Sequence, residues 1–378
     1  MHTKKKICII VSSPITIKAF LKEHVVALSH FYDLTIIVNS NKNEFKDSEY
    51  RNINFINLAI HRNLNLIKDC YALFRLIIIF KKEKFILIHS VTPKAGLLSM
   101  FAGFLSRVSV RIHIFTGQFW ITKKNITRTL YKFADKLIVF FSTNILADSE
   151  SQMKFLIKEG IALAGKISVL ANGSISGVDT ERFIPNNDTK KIIRKELNIK
   201  DTDIVFCFIG RLKYDKGILD LCTAFKNKFT DRGNVHLLII GPDEENMIYE
   251  INKLNIKKEQ LHLIPYAEQP EKYMASADAL CLPSYREGFG SVIIEAASCG
   301  LPSIGSRIYG ITDAILENET GLLYKAGDIN ALGLLMEELY LNKDLGCAMG
   351  KAARDRTKLL FSSDRVTTAW LDYYSNLI

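Results

Sequence analysis

The sequence has little of what flexible linkers, repeat proteins and disulfide scaffolds require. Its 378 residues include only 8 prolines and 21 glycines, which leaves no room for a long low-complexity linker. No unit recurs at a fixed period, so solenoids and propellers are excluded. The 7 cysteines are odd in number and no two have Cys-x-x-Cys spacing. This argues against a disulfide framework or a zinc knuckle, and for a reducing compartment.

Long hydrophobic runs are missing as well. The apolar stretch that follows the basic start, residues 7–11, is too short for the core of a signal peptide. The longer runs at 76–80 and 95–105 fall far short of the ~20 apolar residues that a membrane-spanning helix needs. We therefore expect a soluble, cytoplasmic protein.

Two common phosphate-binding motifs are absent from the chain. The first predicted strand is followed by residues 12–17, Ser-Ser-Pro-Ile-Thr-Ile, which contain no glycine. A dinucleotide cannot lie against such a turn, because its pyrophosphate needs glycines for close approach. No GxxxxGK[ST] sequence occurs, so a P-loop is excluded. We expect phosphate to bind in the second half of the chain.

Positive charge is concentrated in the first half. Residues 1–185 contain 26 Lys or Arg and 13 Asp or Glu, whereas residues 186–378 contain 24 and 27. The basic half indicates an anionic partner, which could be a nucleic acid, an anionic membrane surface or a phosphorylated substrate. Motifs that interleave aromatic and basic residues are missing, so we expect no nucleic acid. A solvated basic surface is the plain alternative.

Short apolar runs alternate with helix-length segments, and this series occurs twice. The pattern predicts βαβ units, so the expected fold class is α/β, with two doubly wound Rossmann-like domains facing a central cleft. A polar break at 183–188 sets the expected boundaries at 1–183, 184–360 and a last helical segment, 361–378, packing back on the first domain. The predicted strands are 7–11, 34–38, 85–88, 110–115, 137–141, 204–209, 235–240, 261–264, 279–282 and 302–304, and the predicted C-terminal helices are 331–341, 345–360 and 365–374.

A basic loop follows the predicted strand 204–209. It reads Gly-Arg-Leu-Lys-Tyr-Asp-Lys-Gly over residues 210–217 and so places Arg211 and Lys216 at the carboxyl end of a strand. A guanidinium grips phosphate oxygens in pairs and an ammonium adds a compact positive charge. The loop is therefore a candidate phosphate site, although a solvated basic loop is an equally good interpretation of this segment alone.

A second loop and helix follow the predicted strand 279–282. Gly288 and Gly290 precede a short helix whose N-terminus is a ready anion site. Glu287 and Glu295 flank that site and suit hydroxyl groups on either side of a diphosphate, as in a nucleotide sugar. The alternative is that Glu287 caps the loop and Glu295 lies on a wet helix face. Apolar neighbours at 292–294 and 296–297 leave little wet face for Glu295.

Together these segments resemble the family 4 retaining glycosyltransferases, which have the GT-B fold. The span Glu287 to Glu295 matches their E-x7-E motif, and the resemblance extends over most of the chain. Within the family the chain is most similar to enzymes that build bacterial surface polysaccharides such as capsule and O-antigen. The other matching segments are Gly210-Arg211, Lys216-Gly217, Gly241-Pro242, the junction 172–183, 89–96 and 115–120.

The resemblance implies a role for each matching position. Arg211 and Lys216 would bind the donor diphosphate and stabilise its charge as it leaves, and Glu287 would contact the donor hexose, so these three are the catalytic candidates. Glu295 would contact the ribose. The full set of donor-binding candidates is Gly210, Gly288, Phe289, Gly290 and Glu295.

The acceptor side departs from the family pattern in two places. Ser12-Ser13 stands where many members carry a glycine pair, and Thr116-Gly117 stands where many carry a histidine near the sugar. A histidine at 89 or 113 could take that place. The acceptor-side candidates are Ser12, Ser13, His89, Lys94, Thr116 and Gly117.

We therefore expect retaining transfer of a hexose or N-acetylhexosamine from a nucleotide sugar, UDP-linked, to a lipid-linked saccharide. Arg211, Lys216 and the helix N-terminus can neutralise the leaving diphosphate, so we expect no metal and no other cofactor. Asp201-Thr202-Asp203 has metal-ligand spacing but reads as a turn before a strand. A sugar-nucleotide epimerase of the same fold and a non-catalytic nucleotide-sugar-binding subunit are the alternatives.

Basic clusters in the first half suit a diphosphate lipid at the anionic inner face of the plasma membrane. Each basic group near such a surface contributes about 1 kcal/mol. The apolar run 73–80 could lie in the membrane interface, but a buried helix is an equal alternative. The clusters are Lys4 to Lys6, Arg75 with Lys81, Lys82 and Lys84, and Lys123, Lys124 and Arg128.

Overall fold

The chain forms two compact units in a computed structural model that describes residues 4–41, 44–61 and 65–378. Unit 1 runs to Ser176 and includes the C-terminal segment Ser363–Ile378. Unit 2 is Gly177–Ser362. Each unit contains one parallel sheet covered by helices, which confirms the α/β, doubly wound prediction.

Unit 1 is built on a seven-stranded sheet with the order β3-β2-β1-β4-β5-β6-β7. All neighbouring strands pair in parallel, and the central strands are buried because helices cover both faces. The strands are β1 Lys6–Ile10, β2 Asp33–Val38, β3 Asn54–Asn57, β4 Leu87–Val91, β5 Val110–Phe115, β6 Asn144–Ala147 and β7 Ile167–Val169.

Six helices of unit 1 connect these strands. The first, α1, continues through a π-helical turn, Ile17–Leu21, into α2. The helices α3 to α6 share one hydrophobic core below the sheet, while α2 contributes to a second core on the other face. The helices are α1 Pro14–Thr16, α2 Lys22–Phe31, α3 Leu66–Glu83, α4 Pro93–Leu105, α5 Asn125–Phe141 and α6 Glu150–Lys158.

Unit 2 is built on a six-stranded sheet with the order β10-β9-β8-β11-β12-β13 and one large core. Its strands are β8 Ile204–Ile209, β9 Val235–Ile240, β10 Leu261–Ile264, β11 Ala279–Leu282, β12 Ser303–Ser306 and β13 Gly321–Tyr324. Its helices are α7 Asn187–Glu196, α8 Ile218–Phe229, α9 Met247–Asn252, α10 Pro270–Ser276, α11 Ser291–Ser298, α12 Ile311–Ala314, α13 Ile329–Leu341 and α14 Lys343–Leu360.

The last helix, α15 Ser363–Leu377, belongs to unit 1 and packs against α2. Its buried side chains Val366, Trp370 and Tyr374 join the core that contains β1 and β2. In the part of the chain that is described, no helix is both long enough and apolar enough to cross a membrane.

Helix starts follow local chemistry. Asn65, Ser149, Asn186 and Asp328 stand just before α3, α6, α7 and α13, and each side chain accepts a hydrogen bond from a backbone amide of the first turn. Such caps satisfy amides that the helix itself leaves unpaired.

One predicted strand is wrong. The apolar run 137–141 is the end of helix α5, and the strand at this position in the fold is β6. Periodicity alone cannot tell so short a run from a helix. The prediction also missed the short strands β3, β6, β7 and β13, which have three or four residues each.

Candidate functional site

The two candidate loops of unit 2 lie side by side. One follows β8 and the other follows β11, and these two strands pair directly in parallel. The strand order reverses between them, because β9 and β10 continue on one side and β12 and β13 on the other. Open parallel sheets bind ligands at such a reversal, outside the carboxyl ends of the strands.

Gly217 allows the two loops to touch. Its φ of +67° is a conformation that glycine adopts without strain. A Cβ at this position would lie 2.1 Å from the carbonyl oxygen of Pro283, in the other loop. Any larger residue would push apart the loops that carry Lys216 and Glu287.

Lys216 and Glu287 form an ion pair. Lys216 Nζ lies 2.6 Å from Glu287 Oε1, and Ser284 Oγ donates to the same oxygen at 2.8 Å. Both charged side chains are largely buried, with 15% and 13% of their surface exposed. The structure thus brings together the cation predicted for the diphosphate and the carboxylate predicted for the hexose.

A second ion pair joins the two loops beside the first. Arg286 Nε and Nη2 donate to Asp215 Oδ2 at 3.2 and 2.8 Å, and the Tyr285 amide donates to the Asp215 carbonyl oxygen at 2.9 Å. Burial would raise the pKa of Asp215, but its hydrogen bond to Arg286 and the nearby cations outweigh burial and lower it. Asp215 therefore remains a carboxylate at neutral pH.

Arg211 lies at a more open position. Its Nη1 is 3.2 Å from Glu244 Oε2, and 39% of the side chain is exposed. Lys213 Nζ contacts Glu244 at 3.4 Å and Glu245 at 3.2 Å. An exposed ion pair is worth little, so the guanidinium can exchange Glu244 for a ligand anion at small cost.

Glu295 lies on α11 among apolar neighbours. Burial raises its pKa to about 7, with Arg182 opposing the shift and Glu271 adding to it. Arg182 is held by Glu271 at 2.8 Å and by the Glu268 carbonyl oxygen at 3.3 Å. Near neutral pH the Glu295 carboxyl is therefore partly protonated. It can donate a hydrogen bond to a hydroxyl oxygen when protonated, and accept one from a hydroxyl group when ionised.

The start of α11 follows three buried residues, Gly288, Phe289 and Gly290. Gly290 caps the helix with a left-handed backbone and no side-chain hydrogen bond. The Phe289 side chain is buried and packs edge-on against Phe361 at 5.2 Å, so only its backbone can meet a ligand. Gly210 differs, because its amide already donates to the Ile240 carbonyl oxygen at 2.9 Å. The Gly210 amide is thus used within the sheet.

Most acceptor-side candidates lie at one edge of the unit 1 sheet. Ser12 and Ser13 follow β1, and Thr116 and Gly117 follow β5, at the carboxyl ends of the strands on either side of β4. Ser12 Oγ lies 3.1 Å from the hydroxyl of Thr92, which follows β4 with a positive φ of 84°.

Lys94 lies at the same edge, at the start of α4. Its Nζ pairs with Asp69 at 2.7 Å. The edge therefore presents hydroxyl groups beside the ion pair of Lys94 and Asp69, which suits a polar group.

His89 does not belong to that edge. Its side chain is fully buried, stacks on Trp370 at 4.8 Å and shares a hydrogen bond with Tyr374 Oη at 2.8 Å. His113 is buried too, 2.8 Å from Ser90 Oγ. Burial lowers both histidine pKa values to about 3, so both rings are neutral. We therefore leave His89 out of the acceptor side, because its ring has no access to solvent.

Within residues 4–41, 44–61 and 65–378 no group of three or more His, Cys, Asp or Glu side chains is arranged to hold a metal ion. Asp201 to Asp203 form a turn, as the sequence indicates, and Asp203 Oδ2 lies 3.2 Å from His236 Nε2. Metal independence stays a prediction.

Sequence reasoning missed several partners in this site. Ser284, Asp215, Arg286 and Glu244 hold the candidate residues but lack a motif of their own. Proximity to Glu287 was a signal for Ser284 and Arg286. Asp215 and Glu244 pair across the fold, which one sequence does not reveal.

Comparison with known proteins gives the same picture. Residues 189–356 match a family model described as glycosyl transferases group 1. The chain is 32% identical over 332 residues to the capsular polysaccharide biosynthesis glycosyltransferase CapM of Staphylococcus aureus, covering 86% of each chain. It is 31% identical over 292 residues, 74% of each chain, to the UDP-Gal:alpha-D-GlcNAc-diphosphoundecaprenol alpha-1,3-galactosyltransferase of Escherichia coli.

The fold is shared with solved structures of low sequence identity. Anabaena HepE in complex with UDP-glucose matches with a TM-score of 0.83 at 18% identity, over 98% of this chain and 99% of that one. At this identity the likeness establishes the fold and leaves the ligand open.

Proposed function

Since the chain belongs to the group 1 glycosyltransferases, we propose that this glycosyltransferase moves a hexose or N-acetylhexosamine from a UDP-sugar to a lipid-diphosphate-linked saccharide. The observation that carries the proposal is the joined pair of loops in unit 2, where Lys216 contacts Glu287 in the loop that leads into α11. The names of the S. aureus and E. coli relatives, a capsule enzyme and a galactosyltransferase acting on a diphospho-lipid sugar, support the substrates.

The first task of the site is to stabilise the leaving diphosphate. When the anomeric C–O bond breaks, its electron pair goes to the β-phosphate oxygen and leaves an oxocarbenium-like sugar. Lys216 has three N–H donors and uses one on Glu287, so the others can meet phosphate. The exposed Arg211 guanidinium and the positive end of the α11 helix dipole add further positive charge. These groups let the reaction proceed without a metal.

The second task is to hold the two sugars of the donor. We propose that Glu287, fixed by Lys216 and Ser284, accepts hydrogen bonds from hexose hydroxyls. Glu295 would contact the ribose, where its raised pKa lets it donate or accept. The acceptor hydroxyl would attack the face from which the diphosphate departs and pass its proton to a phosphate oxygen. The configuration of the anomeric carbon is then retained.

We propose that unit 1 binds the acceptor. Ser12, Ser13, Thr116, Gly117 and Lys94 stand at one sheet edge and suit the saccharide and diphosphate of a lipid-linked acceptor. Such a lipid stays in the membrane, so we propose that the enzyme works as a peripheral protein on the cytoplasmic face.

Two variants test the site directly. Arg211→Ala and Glu287→Ala should each lower kcat by about 10²–10³, because a preorganised charged partner of the transition state is typically worth that much. The assay measures transfer from labelled UDP-sugars to a diphosphate-lipid acceptor. Lys272→Ala and Glu338→Ala, exposed positions elsewhere in unit 2, serve as matched controls and should remain fully active.

Full activity in both folded site variants would refute the assignment. Epimer formation from the labelled donor, or binding without turnover, would instead point to one of the two alternative functions. Activity that requires an added divalent cation, and is abolished by chelation, would contradict metal independence.

A further inference from the structure

Three helices of unit 1 lie side by side on one face of the sheet. Helix α4 packs against α3 on one side and α5 on the other. Their inner side chains, among them Leu76, Met100 and Ile138, are buried in the core below the sheet. Each helix has therefore already used one apolar side for folding, and its outer side is expected to be polar.

The outer side of α3 is apolar instead. Ile67, Tyr71, Phe74 and Ile78 follow one another at spacings of four, three and four residues, so they form one stripe along the helix. Their exposed fractions range from 44% to 84%. The helical repeat places Lys81 on one flank of this stripe, and Arg75 and Lys82 on the other.

Helix α5 repeats the arrangement. Ile126, Leu130, Phe133 and Phe140 share one side of the helix and are 56% to 84% exposed. Between the two helices, Phe104 and Leu105 of α4 are also exposed. We call the outer surface made by these ten side chains of α3, α4 and α5 the apolar face. An exposed apolar surface of this extent marks an interaction site.

The segment that carries the apolar face is strongly basic, although Glu159, which lies after it, pairs with Arg128 and Lys132 at 3.2 and 2.8 Å. Residues 65–141 contain 13 Lys or Arg and only 3 Asp or Glu, so the net charge of the whole protein, +10, equals that of this segment. The three acidic side chains are already engaged. Asp69 pairs with Lys94 at 2.7 Å, Glu83 pairs with Lys6 at 3.1 Å, and Asp135 is buried and accepts from Trp120 Nε1 at 2.7 Å.

We propose that the apolar face docks on an anionic lipid surface, with its aromatic and aliphatic side chains at the level of the headgroups and its lysines and arginines above the lipid charges. This deepens the proposed function and rests on it. Apolar side chains rimmed by cations are the composition of helices that lie in a membrane interface. A second copy of the chain is disfavoured, because two faces of the same positive charge would repel each other.

The position of the apolar face fits the acceptor. Helices α3, α4 and α5 begin where β3, β4 and β5 end, so their N-termini lie at the sheet edge that holds Lys94, Thr116 and Gly117. Ile67 and Ile126 are at those N-termini. A lipid in the docked surface would therefore reach the acceptor edge with its diphosphate directly above the membrane.

Vesicle flotation with the full chain tests the proposal. The probes are vesicles of equal parts phosphatidylglycerol and phosphatidylcholine, and vesicles of phosphatidylcholine alone. Each is used at about 0.1 M and at about 1 M salt, where the screening length is about 10 Å and about 3 Å, respectively. One variant replaces two aromatic residues, Phe74→Ser with Phe133→Ser, and another replaces two cations, Lys81→Ser with Lys82→Ser.

Matched double variants of exposed residues in unit 2 serve as controls, Leu334→Ser with Leu341→Ser and Lys257→Ser with Lys258→Ser. We expect wild type and both controls to float with the anionic vesicles at low salt. Each variant of the apolar face should bind at least tenfold more weakly. High salt should weaken the binding of wild type.

Three results would overturn the proposal: no binding of wild type to anionic vesicles, equal binding by face variants and controls, or lipid-free dimers of wild type that the face variants abolish. Transfer to a water-soluble, short-chain acceptor is measured on the same proteins. The rate of this transfer should be the same in the face variants as in wild type. If wild type showed no transfer, the proposed function would be refuted, and the vesicle result would still decide whether the face binds lipid.

Discussion

Unit 1 and unit 2 wind their parallel sheets in the same strand order but treat charge in different ways. In unit 2 the cations at the carboxyl edge face carboxylates, as Lys216 faces Glu287, Arg286 faces Asp215 and Arg211 faces Glu244. In unit 1 an excess of cations surrounds an exposed apolar face. The comparison teaches that the same strand order can support paired charges at the ends of the strands in unit 2 and a broad, positively charged surface in unit 1.

The interiors of the two units differ as well. Trp370 in unit 1 lies between the rings of His24 and His89, stacked at 4.9 and 4.8 Å. Burial lowers the pKa of His24 to about 4, and the pKa values of His89 and His113 to about 3. Burial also raises the pKa of Asp135 to about 7. In unit 2 burial lowers the pKa of His262 to about 4 and raises that of Glu295 to about 7, so the shifted histidines are concentrated in unit 1.

The largest expected effect is a loss of unit 1 stability in acid. Between pH 6 and pH 5 the unfolded chain protonates the three histidines and the folded unit does not, so stability falls as pH falls. Asp135 opposes this, because its folded carboxyl already holds a proton. With the opposing effect of Asp135 included, the free energy of unfolding of unit 1 should fall by about 2–3 kcal/mol for each pH unit between pH 6 and pH 5. Both tryptophans, Trp120 and Trp370, lie in unit 1, so urea unfolding followed by tryptophan fluorescence measures it.

A variant at one histidine sharpens this comparison. His89→Phe keeps an aromatic ring beside Trp370 and removes one titrating group, so the dependence of stability on pH should decrease by about 1.4 kcal/mol per unit. Phe31→Leu, at an exposed position on α2, removes no titrating group and should leave the dependence unchanged. If protection of the backbone amides against hydrogen exchange fell equally in both units on acidification, the assignment of this effect to unit 1 would be contradicted.

Much of the fold was predictable because its strands are apolar. Strands β5, β8, β9, β10 and β11 have the bounds that their runs of Val, Ile, Leu and Phe predicted. The run at 137–141 failed because Leu137 and Phe140 lie on the outer side of a helix, where apolar residues are not expected. The β3 sequence, Asn-Phe-Ile-Asn, is an edge strand that contains too little apolar sequence to predict.

The donor side was more predictable than the acceptor side. Glycines, cations and glutamates close together in sequence marked Lys216 and Glu287, which the structure places in contact, while their roles stay predictions. On the acceptor side, sequence could not show that His89 stacks under α15, because Trp370 and Tyr374 come from the far end of the chain. The outer sides of α3 and α5 were ambiguous for a similar reason, since exposure depends on what packs against a helix.

An intermediate effect is expected when the second ion pair of unit 2 is broken. Arg286→Met removes the link to Asp215, so the two loops lose one of the contacts that join them, while the Lys216–Glu287 ion pair remains. We expect kcat to fall about tenfold with a smaller change in the donor KM, because misplaced groups mainly cost transition-state stabilisation. Arg286→Lys, which keeps the charge, should recover part of the rate. An unchanged kcat, or a loss explained by a lower Tm, would show that Arg286 does not position the site.

The smallest expected effect concerns the exposed pair of Arg211 and Glu244. Glu244→Gln leaves Arg211 without its carboxylate, so the guanidinium no longer has to exchange one anion for another when the donor diphosphate binds. Because exposed ion pairs are worth about 0.2–1 kcal/mol, the donor KM should fall by at most about fivefold, and high salt should erase the difference. Glu250→Gln, on α9, affects an exposed pair with Lys253 and is the matched control. A rise in the donor KM would mean that Glu244 is needed to hold Arg211 in place. The exposed ion pairs of unit 2 would then be part of a preorganised site, like the buried pair of Lys216 and Glu287.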